Sequence, residues 1–200
     1  PIIIADTGQL NDGQHRLSAI VETGITIRSM ITFGASRDSR FTVDLGAARS
    51  GGNVLHMRGE PNGATASAIT RGVLSFDQTE GRSIARMALI TTAQTEQVYF
   101  ADPDIRAAAA YAVKGNALTN KYASASVVGI CHVLFSRLHK DTATRYLDQV
   151  CYGENLVRLD PAFSVRSALL RERLTRDEKA HIMFRGWNAI REGRKLDLIK

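Results

Sequence analysis

The sequence contains only two cysteines, Cys131 and Cys151, and the local patterns predict a helix around each of them. We therefore expect no disulfide framework, and we expect both residues to be core thiols in a cytoplasmic protein. The five histidines form no HExxH spacing, and no CxxC pair occurs. The sequence thus gives little support to a structural zinc site.

Long apolar segments are also missing. Runs such as Ala107–Ala110 are far shorter than the ~20 residues needed to cross a bilayer, so we expect no membrane partner. The sequence begins at Pro1 rather than Met, without a charged segment and a cleavage site. These features predict that there is no secretory signal and that the sequence begins inside a longer protein.

Positive charge is concentrated near the C-terminal end. Residues 158–200 hold eleven Lys and Arg against six Asp and Glu, which accounts for +5 of the net charge of +6. Such a surface can follow the phosphates of a nucleic acid, or it can be a solvated helix face that keeps the protein soluble. Both interpretations remain open, and the candidate nucleic-acid contacts are Arg185, Arg191, Arg194 and Lys195.

The first sixty residues alternate between strand and turn patterns. Ile2-Ile3-Ile4 and the Asp6-Thr7-Gly8 turn predict a hairpin that leads to Leu10. A short helix should follow and end at Gly24, and residues 25–33 should form a strand. We therefore predict an α/β domain over residues 1–60.

Helical patterns begin at Ser50, and a break follows at residues 59–63, where two glycines and a proline interrupt any regular element. Asp102-Pro103 predicts a helix start and Gly115 a helix stop. Thr175 and Glu178 form a capping-box pattern before a last helix that carries an apolar stripe. The predicted helices cover residues 53–58, 62–76, 103–114, 124–138, 141–152 and 176–192. We predict an all-α domain over residues 61–200 and an α+β, helix-rich protein overall.

Residues 11–16, NDGQHR, occur where the predicted strand turns into the helix. Free amides and the helix dipole make such a place an anion site. Gly13 permits close backbone approach, and Arg16 and His15 can donate hydrogen bonds to phosphate oxygens. Asp12 or Asn11 can hold Mg²⁺ or orient a nucleophile. The alternative is that this run forms only a turn, a cap and a solvated helix face.

Three blocks resemble the ParB/sulfiredoxin superfamily, and more closely its DGQHR-type branch of phage and bacterial proteins, often labelled ParB-like nuclease domains. They are residues 10–20 (LNDGQHRLSAI), 44–50 (DLGAARS) and 186–194 (GWNAIREGR). The resemblance implies a sulfiredoxin-like fold and a location in a bacterial cell or a phage-infected host. It also implies that the domain lacks, at its N-terminal side, a strand and a helix that family members carry.

The resemblance further implies binding of a nucleotide or nucleic-acid phosphate by Gly13, Gln14, His15 and Arg16. The superfamily includes CTP-dependent DNA clamps, sulfinic-acid reductases, a serine kinase and DNA-modification regulators, so a shared fold does not imply a shared reaction. Gln14 stands where sulfiredoxins carry the catalytic cysteine, which argues against reductase activity. His15-Arg16 replaces the paired arginines of partition clamps, and no clear helix-turn-helix follows, which argues against a clamp.

Two other segments carry open alternatives. Arg49 and Ser50 can reach the same phosphate as Arg16 if their segment folds back, or Arg49 can simply pair with Asp44. Trp187 lies on the apolar stripe of the last helix, so core packing is favoured over base stacking.

The preferred function is a regulatory or DNA-associated module that binds a nucleotide or DNA phosphate. The alternative is a metal-assisted phosphoryl transferase or phosphodiesterase, including a nuclease. It would use Asp12 and His15 as catalytic residues, with Mg²⁺ on Asp12 and a nucleoside triphosphate as a further ligand. A two-metal nuclease normally needs several acids, and the motif supplies one. A third possibility is an assembly protein whose site has decayed.

Overall fold

The computed structural model describes residues 1–41, 50–85, 90–119, 122–171, 173–197 and 199, without the side chains of 116–119. It confirms the α+β, helix-rich class, since a small mixed sheet precedes a series of helices. The chain divides into two compact units, Pro1–Arg49 and Ser50–Lys200. In the described residues, no helix is long and apolar enough to cross a membrane.

The first unit is a three-stranded sheet with one helix. Its elements are β1 (Ile2–Ala5), β2 (Leu10–Asp12), α1 (Gln14–Thr23) and β3 (Ile31–Ala35), followed by a 3-10 turn at Arg37–Phe41. β1 lies in the middle, antiparallel to β2 and parallel to β3. The predicted hairpin is confirmed, and so is the end of α1, because Gly24 adopts the left-handed conformation that closes the helix.

The third strand begins later than the sequence pattern predicted. Residues 25–30 have no regular structure, and β3 covers Ile31–Ala35 instead. The cause is its partner, because β1 is only four residues long and pairs Ile2 with Ile31. Met30 O still accepts a hydrogen bond from Ile2 N at 2.8 Å. Residues 25–29 have no strand of the described chain beside them to satisfy their backbone groups.

The second unit is helical. Its elements are α2 (Gly51–Met57), α3 (Gly63–Gln78), α4 (Thr92–Ala101), α5 (Pro103–Thr119), α6 (Ala125–Tyr152), α7 (Pro161–Leu169) and α8 (Arg176–Arg191). α2 packs on the start of α3 so closely that a Cβ on Gly52 would lie 2.8 Å from Ala64 Cα. The break at residues 59–63 is thus a tight turn between packed helices, and the division between the units precedes Ser50.

The core of the helical unit contains an aromatic cluster. Trp187 is 1% exposed, and its ring stacks on Phe135 with 4.8 Å between the centroids. Phe184 meets Phe135 edge to face and stacks on Phe76. The prediction that Trp187 packs in the core is therefore confirmed.

Both cysteines are buried free thiols, as predicted. Burial raises the pKa of Cys151 to about 11, and it also raises the pKa of Cys131. Since a thiolate is the reactive form of cysteine, both residues are unreactive core side chains at neutral pH.

Helix α6 is broken at His139, whose backbone angles are not helical (φ −152°, ψ 94°). Its halves, residues 125–138 and 140–152, lie side by side. Thr144 Oγ1 in the second half is 3.4 Å from His132 Nε2 in the first. Tyr122, just before the helix, donates from its hydroxyl to the carbonyl of Cys151 at 3.2 Å. The two helices predicted for this segment are therefore confirmed as a helical hairpin.

His132 lies inside this hairpin and is 8% exposed, with its ring 4.5 Å from that of Tyr111. Burial lowers the pKa of His132; Lys140 adds to this effect, and Asp104 and Asp148 oppose it. The folded state therefore favours the neutral imidazole. In the unfolded chain the pKa returns to about 6.5, so the unfolded state binds protons more readily below that pH.

We expect the free energy of unfolding to fall as the pH decreases below about 6.5, because His132 must be protonated inside the core or the hairpin must open. Urea unfolding of wild type and of His132→Phe between pH 7.5 and 5 measures this. The variant should lose part of the pH dependence, whereas His181→Phe, a change at an exposed histidine, should retain it. Equal pH dependence in wild type and His132→Phe would contradict the prediction.

Candidate anion-binding site

The predicted NDGQHR site forms the turn between β2 and α1. Gly13 adopts a left-handed conformation with φ 98°. A Cβ on this residue would lie 3.0 Å from Ile2 Cγ1 and 3.2 Å from Ile2 Cα on the neighbouring strand. Both the backbone angle and the close approach to β1 therefore require glycine at this position.

Helix α1 begins without a side-chain cap and has no acidic residue in its first turn. Its first backbone hydrogen bond runs from Leu17 N to Gly13 O. Within the described chain, the amides of Gln14, His15 and Arg16 donate to no acceptor. Three free N–H groups at the positive end of a helix dipole favour a bound anion.

These amides face an open pocket of about 670 Å³, which is lined by Pro1 and residues 10–16. The side chains of Gln14, His15 and Arg16 are exposed. Arg16 donates from one terminal nitrogen to the carbonyl of Pro1 at 2.8 Å. This bond holds the guanidinium beside the turn, so the predicted phosphate-binding residues 13–16 lie together.

Asp12 has a structural role in the turn. Its Oδ1 accepts a hydrogen bond from Gly13 N at 2.7 Å. Among the described residues, no group of three or more His, Cys, Asp or Glu is placed to hold a metal ion. A Mg²⁺ ion on Asp12 would therefore depend on oxygens of the ligand and of water.

Asn11 is committed to the fold. Its amide nitrogen donates to Ser36 O at 2.9 Å and to Ser39 Oγ at 3.1 Å. Its amide oxygen accepts from Arg37 at 2.7 Å, and Arg37 also donates to Leu10 O at 2.8 Å. Arg37, which no sequence pattern indicated, adds a second cation behind the turn. These bonds leave Asp12 as the better candidate for a metal or nucleophile role.

The second predicted block divides between the two units. Asp44 and Arg49 lie outside the described residues. Ser50 is the N-cap of α2, and its hydroxyl oxygen accepts from Asn53 N at 3.2 Å. The structure therefore assigns Ser50 a capping role in the helical unit, and its phosphate role stays a prediction.

The four candidate nucleic-acid contacts lie at the C-terminal end of the helical unit. Arg185 and Arg191 are exposed on α8, and Arg194 and Lys195 are exposed just after it. Arg194 forms an ion pair with Glu192, which lowers the net positive charge there. Four exposed basic side chains are thus present near the end of the helical unit, as both interpretations of the sequence require.

Comparisons with protein-family models, with curated proteins and with solved structures gave no match to this chain.

Proposed function

We propose that residues 12–16 bind a phosphate of a nucleotide or of DNA, and that the chain is a ParB/sulfiredoxin-like module with a regulatory or DNA-associated role. One observation carries the proposal: three free amides at the start of α1 lie beside the Arg16 guanidinium in an open pocket. A phosphate accepts hydrogen bonds from both kinds of donor, and its charge is favoured at the helix N-terminus.

The order of secondary-structure elements around the motif supports the proposed resemblance to the ParB/sulfiredoxin superfamily. β2 ends at Asp12, Gly13 makes the left-handed turn, and α1 starts at Gln14. The quoted motif is therefore placed where its backbone amides can contact a phosphate. This agreement supports a binding role for the motif and leaves the reaction of the protein open.

The same geometry favours binding over turnover. Among the described residues that line the pocket, Asp12 is the only acid, and one of its oxygens accepts a hydrogen bond from Gly13 N. An enzyme would need Asp12 to hold Mg²⁺ through ligand oxygens and His15 to transfer a proton. The transferase or nuclease alternative therefore predicts product formation that depends on both residues.

In this proposal, the basic residues at the end of the helical unit contact the phosphates of DNA. Arg185, Arg191, Arg194 and Lys195 are exposed and can approach a phosphate backbone. Binding by such contacts would weaken with rising salt and would depend little on DNA sequence.

The test is a titration of ATP, CTP, GTP and a short DNA duplex against wild type and Arg16→Ala, each with and without Mg²⁺. We expect Arg16→Ala to weaken binding of the preferred ligand about tenfold or more, because a charge-assisted hydrogen bond to phosphate is lost. Arg28→Ala is the matched control, since Arg28 is an exposed arginine of the same unit outside the turn. It should bind like wild type.

Product release during these titrations separates the two functions. Binding without product supports the module, and turnover that is lost in Asp12→Asn and His15→Ala supports the enzyme. If the two arginine variants bind equally well, or if none of the ligands binds wild type, the turn is a structural element and the proposal fails.

A further inference from the structure

Strand β3 is an edge of the three-stranded sheet, and no strand of the described chain pairs with its outer side. Ile2 N donates to Met30 O, and Ile2 pairs with Ile31 in a parallel ladder. In such a ladder alternate residues bond to the neighbouring strand, so the N–H and C=O of Thr32 point toward β1. Both backbone groups of Ile31 and the N–H of Phe33 therefore point away from the sheet. Among the described residues they have no hydrogen-bond partner.

The segment that leads into β3 exposes many apolar side chains. Val21 is 82% exposed, Met30 is 75% exposed and Phe33 is 71% exposed. The other members of this set, which are 44–62% exposed, are Ile25, Ile27 and Ile31. Together they offer on the order of 700 Å² of accessible side chain, close to the roughly 800 Å² that one partner buries in a standard stable interface. Exposed apolar surface of this size is typical of an interaction site.

The sequence of β3, ITFGA, contains no charged residue and no proline. Natural edge strands often carry such residues, because they prevent pairing with another chain. The backbone of β3 becomes irregular at Gly34, which has a left-handed φ of 74°. This irregularity limits regular pairing to residues 31–33. The outer side of β3 is thus a short, uncharged template to which one more strand can add.

We propose that β3 pairs antiparallel with β3 of a second copy of this chain, with Thr32 at the two-fold axis. Ile31 of each copy then faces Phe33 of the other, and the Phe33 N–H donates to the Ile31 C=O across the interface. A β-branched residue opposite an aromatic residue and threonine opposite threonine are both favourable cross-strand pairs. The strand is therefore complementary to itself, as a two-fold interface requires.

The charges that flank β3 are compatible with this register. Arg28 of one copy faces Ser36 of the other, and Arg37 faces Ile27, so no two arginines lie opposite each other. The pairing joins two three-stranded sheets into one continuous sheet, which suits strands that are too few and short to be very stable alone. The NDGQHR turn follows β2, the opposite edge strand, so this proposal does not depend on phosphate binding.

Cross-linking of Thr32→Cys tests the register on the whole chain. Opposite residues of a non-hydrogen-bonded pair have Cα atoms about 4.5 Å apart, which is within reach of a disulfide. Mild oxidation should therefore convert Thr32→Cys into a covalent dimer. Arg28→Cys is the matched control, because it is also exposed but its two copies would lie roughly 25 Å apart. Cys131 and Cys151 are buried and should not react. Equal cross-linking of the two variants would overturn the proposal.

Sedimentation equilibrium measures the assembly itself. Wild type should reach twice the mass of one chain at micromolar concentrations. Phe33→Lys places a charge opposite Ile31 and should raise the dissociation constant of the dimer about tenfold or more. Leu170→Lys, which changes a 64% exposed residue of the helical unit, should dimerise like wild type. A wild type that stays monomeric would overturn the proposal, and so would protection of the Ile31 amide from hydrogen exchange in the monomer, because another segment would then cover the edge.

Discussion

A protein that carries Gly129→Val is expected to lose about 3 kcal/mol of its free energy of unfolding. Gly129 lies on α6 where this helix crosses α3, and a Cβ there would lie 2.2 Å from Ile69 Cδ1 and 2.8 Å from Ile69 Cγ1. Ile69 is fully buried, so its side chain has little space to move. The contact is reciprocal, because a Cβ on Gly72 of α3 would lie 2.1 Å from Ile130 Cδ1.

Gly115 of α5 provides a matched control for this prediction. A Cβ on Gly115 would lie 3.7 Å from Cys151 Sγ, which is an ordinary contact distance. Gly115→Ala should therefore raise the free energy of unfolding by up to about 1 kcal/mol through helix propensity. Gly129→Ala gains the same helix propensity, but its Cβ overpacks the contact between α6 and α3, so this substitution should destabilise the protein. Urea unfolding measures both, and a stable Gly129→Ala would show that the crossing can relax.

These two glycines also show the limit of reading helix ends from sequence. Gly115 was predicted to end its helix, but α5 continues to Thr119. That prediction was wrong because Gly115 lies inside α5, where it faces Cys151 of α6, and does not form the turn that would end the helix. The sequence contains the glycine but not the neighbouring helix that explains it.

Capping signals were more informative than apolar periodicity. Thr175 accepts from Glu178 N as the capping box predicted, and α8 starts at the next residue. Helix α4 was missed although Thr91 and Gln94 form the same motif. Helix α7 was missed although Asp160 precedes it and Pro161 occupies its first position. Residues 92–101 place apolar side chains around the whole helix, so the expected stripe is absent.

The sequence predicts those parts of the candidate site that depend on residues close together in the chain. The left-handed Gly13, the start of α1 and the grouping of residues 13–16 all follow from neighbouring residues in the chain. The role of Asn11 does not, because its partners Ser36, Arg37 and Ser39 lie more than twenty residues away. Long-range hydrogen bonds of this kind decide which polar residues of a motif remain available to a ligand.

Replacement of Arg166 by methionine is also expected to cost about 3 kcal/mol of unfolding free energy, because it removes a cation that caps the end of the helical hairpin. One terminal nitrogen of Arg166 donates to the carbonyls of Val150 and Cys151 and, at 2.9 Å, to the hydroxyl of Tyr122. The carbonyls at the C-terminal end of α6 carry the negative end of its dipole, so a guanidinium is favoured there.

Methionine would retain much of the packing of the arginine stem but none of its donors. Tyr122 still donates to both carbonyls at 3.2 and 3.3 Å, so the loss is partial rather than complete. Arg166→Lys should fall between methionine and wild type, since an ammonium keeps the charge but not the planar group that lies against Gly153. The measurement is urea unfolding at pH 7. If the Arg166→Met protein were as stable as wild type, the Tyr122 hydroxyl alone would be enough to cap the carbonyls of Val150 and Cys151, and no cation would be needed there.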